Sequence, residues 1–197
     1  MLVDAKRIVI ALFSLLATHS IGAELIEDQY CIVFGDENAP VVVNEYISFA
    51  CAHCVEIFQE EFAEIKEQYI DSGDVCWRFC PVPLEETTIR AMICLEALTP
   101  SEKKVFFETI WTEMDEINSD LTVAFMKRAM EIFGKPIPQL SDRSFVHAHP
   151  VFKKAFEYNS KEGNVKMVPT VEVAGHIYHE EFPDKEFIQN LLGGGAA

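Results

Sequence analysis

The sequence predicts an α/β domain with a mixed central sheet, split by a helical insertion. Three observations carry that expectation. The apolar run Val41–Ile47 is followed by the stripe Val55, Phe58, Phe62, Ile65 and Tyr69, spaced three and four apart, and then by a second run, Val75 to Cys80. Strand, helix and strand over that length make a βαβ unit with parallel strands. Residues from about 84 to 162 then carry helical patterns only. Finally Val171-Glu172-Val173 and His176-Ile177-Tyr178 flank Ala174-Gly175, two short runs about a two-residue turn, which reads as an antiparallel hairpin.

The elements follow in order from local chemistry. Lys6 and Arg7 precede the apolar run Ile8 to Ala17, and Thr18, Ser20, Gly22 and Ala23 come after it. This is the make-up of a secretory signal, residues 1–23, and the run is too short for a comfortable membrane span. Cleavage after Gly22 puts Ser20 at the −3 position and cleavage after Ala23 puts Ile21 there, so the site stays open; an uncleaved membrane anchor is the alternative. The mature chain is then one domain, 24–197, in a periplasmic or secreted, oxidising compartment.

Tyr30 to Phe34 reads as a first strand and Gly35 to Pro40 as a turn; the strand at 41–47 leads into a helix at about 52–70. Pro81-Val82-Pro83 ends the strand that begins at Val75, and Thr87 to Leu98 forms a helix. Thr99-Pro100-Ser101-Glu102 has capping-box spacing with proline at the first helical position. A helix from Leu121 to Phe133 stops at Gly134. Another, from Ser141 to Lys161, is broken at Pro150. Pro183 to Leu192 is the last helix, followed by a glycine tail.

Sixteen basic residues stand against thirty-two acidic ones, a formal net charge of −16. That argues against nucleic acid and against attraction to an anionic membrane surface, and its plainer meaning is solubility.

The chemistry concentrates at Cys51-Ala52-His53-Cys54. A C-x-x-C between a strand and a helix places the first sulfur at the helix N-terminus, where unpaired N–H groups and the helix dipole stabilise a thiolate. The leading reading is a redox dithiol, with a zinc knuckle as the rival. Covalent haem is excluded, because Val55 stands where C-x-x-C-H requires histidine. Cys51, Cys54, Cys76 and Cys80 have ligand-like spacing, but a tetrahedral site needs its second pair on a turn and 76–80 reads as a strand. Cys76 and Cys80 lie about 13 Å apart along that strand, too far to bridge each other. Cys94 with Cys76 or Cys80, Cys31 with Cys76, and free buried thiols all stay open. Glu45 shares a strand face with Val43 and Ile47, so its carboxyl is expected in apolar surroundings with its pKa raised, able to exchange protons with Cys54; a solvated rim position is the alternative. The pairs His147/His149 and His176/His179 read as surface residues.

The strand order, with C-x-x-C at the second strand–helix junction and a proline before the closing hairpin, resembles the thioredoxin fold, and the helical insertion resembles its DsbA-like branch. The resemblance covers about 30–192. It rests on Phe49, Cys51 and Cys54 with His53 between them, Glu45 six residues before Cys51, Val168-Pro169, and Gly175 in the hairpin turn. It implies a thioredoxin-like fold with an inserted helical subdomain. It also implies that Cys51 is the exposed attacking cysteine, Cys54 its buried partner, Pro169 a cis-proline facing the disulfide, and Val168 the residue whose backbone pairs with substrate. His53, protonated or donating to the Cys51 sulfur, pushes toward the oxidising end. Ala52 departs from the proline usual in DsbA, which leaves the potential open.

The expected function is a thiol–disulfide oxidoreductase, an oxidase that introduces disulfides into unfolded exported proteins with free cysteines. It needs no cofactor or metal and is reoxidised by a membrane partner of the DsbB type. An isomerase or reductase of the same fold is the first alternative; a non-catalytic chaperone or zinc-binding module is the second.

Overall fold

The computed structural model describes residues 28–114, 118–161, 164–179 and 185–193. The expected signal segment, the start expected for the last helix at Pro183 and most of the glycine tail lie outside the described residues.

Five strands form one mixed sheet in the order β1-β3-β2-β4-β5. They are β1 (Ile32–Phe34), β2 (Val41–Ile47), β3 (Val75–Pro81), β4 (Thr170–Val173) and β5 (His176–His179). β2 and β3 run parallel, with Val43 beside Trp77 and Glu45 beside Phe79, as the βαβ spacing requires. β1 lies antiparallel to β3, and β4 lies antiparallel to both β2 and β5. Ala174 and Gly175 both have positive φ, 48° and 79°, the geometry of a two-residue type I′ hairpin. Gly35 has φ +93°, and a Cβ there would sit 2.6 Å from the carbonyl oxygen of Val75, so the turn after β1 admits only glycine without rearrangement.

The helix after β2 is continuous but not uniform. It opens as α1 (Ala52–Ile57), widens into a π-turn at Phe58–Phe62, tightens through α2 (Ala63–Ile65) and widens again at Lys66–Ile70. The sequence pattern shows only its apolar stripe, since a π-turn displaces that stripe by one residue without erasing it. Between β3 and β4 run α3 (Glu86–Leu95), α4 (Pro100–Thr112), α5 (Ser119–Ile132), α6 (Arg143–Ala148) and α7 (Pro150–Ser160), and α8 (Lys185–Gly193) follows the hairpin. The capping box of α4 is complete, Gly134 follows α5 with φ +61°, and the break at Pro150 separates α6 from α7, with His149 serving both ends. Among the described residues no helix is long and apolar enough to cross a membrane.

One face of the sheet packs an aromatic core. Phe34, Phe58 and Phe79 meet Phe107 of α4, Phe58 and Phe79 also meet Trp111, and Phe62 packs on Phe34, Phe58 and Phe79, with ring centroids 4.6–6.4 Å apart. Fully burying such a side chain is worth about 1.5–3 kcal/mol, and favourable ring pairs add about 0.5–1.5 kcal/mol each. Phe49, fully buried against Phe107 and Trp111, anchors the loop that carries Cys51 into this core. The opposite face carries a smaller cluster of Cys31, Tyr46, Cys80, Val82 and Tyr158.

Within that cluster Cys31 is bonded to Cys80. None of the pairings left open by the sequence is this one. The antiparallel register sets Ile32 against Phe79, which brings Cys31 to Cys80 and leaves Cys76 four residues along β3 from it. Cys76 and Cys94 are free and buried, and desolvation pushes both thiols up, Cys94 to about 12, which disfavours the nucleophilic thiolate at either position. With the Cys80 sulfur bonded to Cys31, the four-cysteine zinc set does not come together.

Candidate active site around Cys51 and Cys54

β2 ends at Ile47, and the loop Ser48-Phe49-Ala50 delivers Cys51 to the start of α1. Cys51 is the N-cap residue, with extended backbone (φ −96°, ψ 107°), and its Sγ accepts the Cys54 backbone N–H at 3.1 Å. A sulfur in that role takes the place of the usual Ser, Thr or Asp oxygen, on a helix end that favours negative charge. Cys51 and Cys54 are disulfide-bonded. Cys54 is fully buried and Cys51 is partly exposed, so only one sulfur of the pair can be reached from outside.

The loop before β4 closes over this bond. The Val168–Pro169 peptide is cis, Pro169 is buried, and the Val168 carbonyl oxygen lies 3.8 Å from Cys51 Sγ. Val168 packs against both the aromatic core and the Cys31–Cys80 cluster, and the Thr170 hydroxyl donates to the Met167 carbonyl. Residues 117 apart in sequence are thereby held in contact.

Glu45 is fully buried, and its Oε2 accepts the Trp77 indole N–H at 2.8 Å. Burial pushes its carboxyl up to about 8, with the Trp77 hydrogen bond pulling part of the way back. The carboxyl is therefore mostly protonated at pH 7. Oε1 meets no hydrogen-bonding partner among the described residues. The solvated-rim alternative for Glu45 does not hold.

His53 sits in the first turn of α1 with about half its side chain exposed, and its Nδ1 lies 3.4 Å from Glu56 Oε2. His147 is exposed, near Glu86 and stacked on Phe152; His149 is half-buried where it caps α7; His176 and His179 are exposed on β5.

Sequence reasoning missed Ser48, Glu85 and Thr88. Glu85 is the N-cap of α3 and accepts the backbone N–H groups of Thr87 and Thr88. The hydroxyls of Ser48 (3.0 Å) and Thr88 also donate to its Oε1. In turn, Thr88 Oγ1 accepts the Phe49 N–H at 2.8 Å and Ser48 Oγ accepts the Ala50 N–H at 3.0 Å. The only available signal was an acidic residue three before a threonine at a helix start, and glutamate is not a favoured cap.

The sequence profile of the thioredoxin family matches residues 27–191. No curated protein sequence matches the chain. Among solved structures it is similar to oxidised BdbD from Bacillus subtilis, with 24% identity and a TM-score of 0.64 over 83% of this chain and 93% of that one. It is also similar to α-DsbA1 from Wolbachia pipientis (21% identity, TM-score 0.59, covering 83% of this chain and 89% of that one). DsbA from Chlamydia trachomatis gives 18% identity and a TM-score of 0.59, covering 83% and 90%. These likenesses establish a DsbA-like fold, with the helices of α3 to α7 inserted between β3 and β4. On the match across residues 27–191 and on that fold, the chain belongs to the thioredoxin family.

Proposed function

We propose that the chain is an exported thiol–disulfide oxidoreductase in which the Cys51–Cys54 disulfide oxidises the thiols of exported proteins. The observation that carries this reading is the reachable Cys51 sulfur, capping α1 and accepting the Cys54 N–H, with the cis-Pro169 loop beside it. A substrate thiolate attacks Cys51 Sγ; the bond to Cys54 breaks and Cys54 leaves as a thiolate. Protonated Glu45 is the proposed proton source for that buried sulfur. A second substrate thiolate then attacks the substrate sulfur of the mixed disulfide and expels Cys51 as a thiolate held at the helix N-terminus. The substrate loses two electrons and its thiol protons, and the enzyme keeps the two electrons as a dithiol.

The edge presented by Val168 is the proposed place where an extended substrate segment pairs, next to the sulfur it attacks. His53, one residue before Cys54 and partly exposed, is the proposed tuner of the Cys51 thiolate. Export rests on the residue 1–23 signal pattern. Reoxidation is assigned to a membrane protein of the DsbB type, because each turnover leaves the pair reduced.

The test is stoichiometric. Oxidised protein is mixed with a reduced peptide carrying two cysteines, and peptide disulfide is counted by mass spectrometry. One equivalent should form per protein, and none with Cys51→Ser. A peptide that stays reduced while Cys51–Cys54 stays oxidised contradicts the reading.

A further inference from the structure

We infer that Glu85, Thr88 and Ser48 form a clasp that positions Cys51 for exchange, coupling the first helix of the insertion to the redox loop. The inference rests on the proposed chemistry of Cys51. Two consecutive backbone N–H groups before the cysteine, those of Phe49 and Ala50, end on two hydroxyls, Thr88 Oγ1 and Ser48 Oγ. Both hydroxyls donate to one carboxylate oxygen, Glu85 Oε1. An ionised carboxylate only accepts, so it fixes the direction of both hydroxyl protons. Their lone pairs are left facing the Phe49 and Ala50 N–H groups. The two hydroxyl oxygens lie 3.2 Å apart, with Thr88 fully buried and Ser48 nearly so.

The clasp fixes the path of the chain into the N-cap. Cys51 N–H donates to the Ser48 carbonyl at 3.2 Å, closing the turn, and the Cys51 carbonyl accepts from Val55 at 3.2 Å as the helix begins. The direction of the Cys51 side chain, and hence the Sγ contact with the Cys54 N–H, follows from that turn. A thiolate gains more from this N–H than a disulfide sulfur does, because hydrogen bonds to charged acceptors are the stronger ones. Loosening the turn therefore weakens the reduced state more than the oxidised one. None of the three side chains is a catalytic residue; each acts through the backbone of 48–51.

The variants are Thr88→Val, which keeps shape but removes the acceptor for Phe49 N–H, Thr88→Ser as the rescue, and Glu85→Ala and Ser48→Ala as independent cuts. The readouts are the equilibrium constant of Cys51–Cys54 with glutathione and the ultraviolet titration of the Cys51 thiolate, with folding checked by circular dichroism. Thr88→Val, Glu85→Ala and Ser48→Ala should each shift the equilibrium toward the disulfide by about tenfold, which is about 30 mV for a two-electron couple. The Cys51 titration should move to higher pH, and Thr88→Ser should match wild type. A lower folding midpoint with unchanged equilibrium and titration would show a purely structural clasp and overturn the inference. So would Thr88→Ser shifting as far as Thr88→Val, or the failure of all three disruptive variants to fold. A wild-type protein that does not exchange with glutathione at all would instead sink the functional reading, before any variant is compared.

Discussion

Replacing Glu45 with glutamine should make the protein more stable at neutral pH and remove a pH dependence that wild type carries. The folded carboxyl holds its proton up to about 8, whereas an unfolded chain releases it near 4.5. Between those values the folded state binds one proton more than the unfolded state. Stability therefore falls as pH rises, by about 1.4 kcal/mol per pH unit, and levels off above the folded value. From pH 5 to pH 8 the loss amounts to about 3.5 kcal/mol, and at pH 7 it has reached about 2.5 kcal/mol. Glutamine stays neutral, nearly fills the same volume and keeps an oxygen for the Trp77 N–H. Its amide N–H groups fall where Oε1 has no partner, which returns part of the gain. Urea unfolding of both proteins at pH 5, 6, 7 and 8 measures the effect, because the wild-type-minus-variant difference cancels every other titrating group. That difference should move steadily against wild type as pH rises. A difference constant within about 0.5 kcal/mol across this range would refute a buried, protonated Glu45.

Two further outcomes follow from the fold. Cys31→Ser with Cys80→Ser opens a loop of sequence separation 49, which should cost about 4 kcal/mol in urea unfolding by loop entropy; a loss below about 1 kcal/mol would mean the cross-strand register alone holds β1. Gly35→Ala should cost about 1–3 kcal/mol, because its φ of +93° is strained for alanine and the added Cβ meets the Val75 carbonyl; an unchanged unfolding midpoint would show that the turn rearranges freely.

Much of this architecture was legible because its signals are local. Cys51 and Cys54 lie between an apolar strand and an amphipathic stripe, Thr99 to Glu102 spell their own cap, and Ala174-Gly175 separates two short strands. Glu45 was legible for the same reason, since its alternation with Val43 and Ile47 fixes its face. What escaped depends on partners distant in sequence. The Cys31–Cys80 bond requires the direction of β1 relative to β3, and a three-residue strand carries no pattern that states it. The clasp joins Ser48 to Glu85 across 37 residues through a cap that propensity disfavours. The π-turns at Phe58–Phe62 and Lys66–Ile70 leave a stripe of nearly helical spacing and so are silent in sequence.

The most direct measurement is the redox equilibrium of Cys51–Cys54 with glutathione in the wild-type protein. A sulfur stabilised as an anion at the start of α1 should give a potential nearer the roughly −120 mV of DsbA than the roughly −270 mV of thioredoxin. A value below about −250 mV would make the pair a reductant and contradict an oxidase.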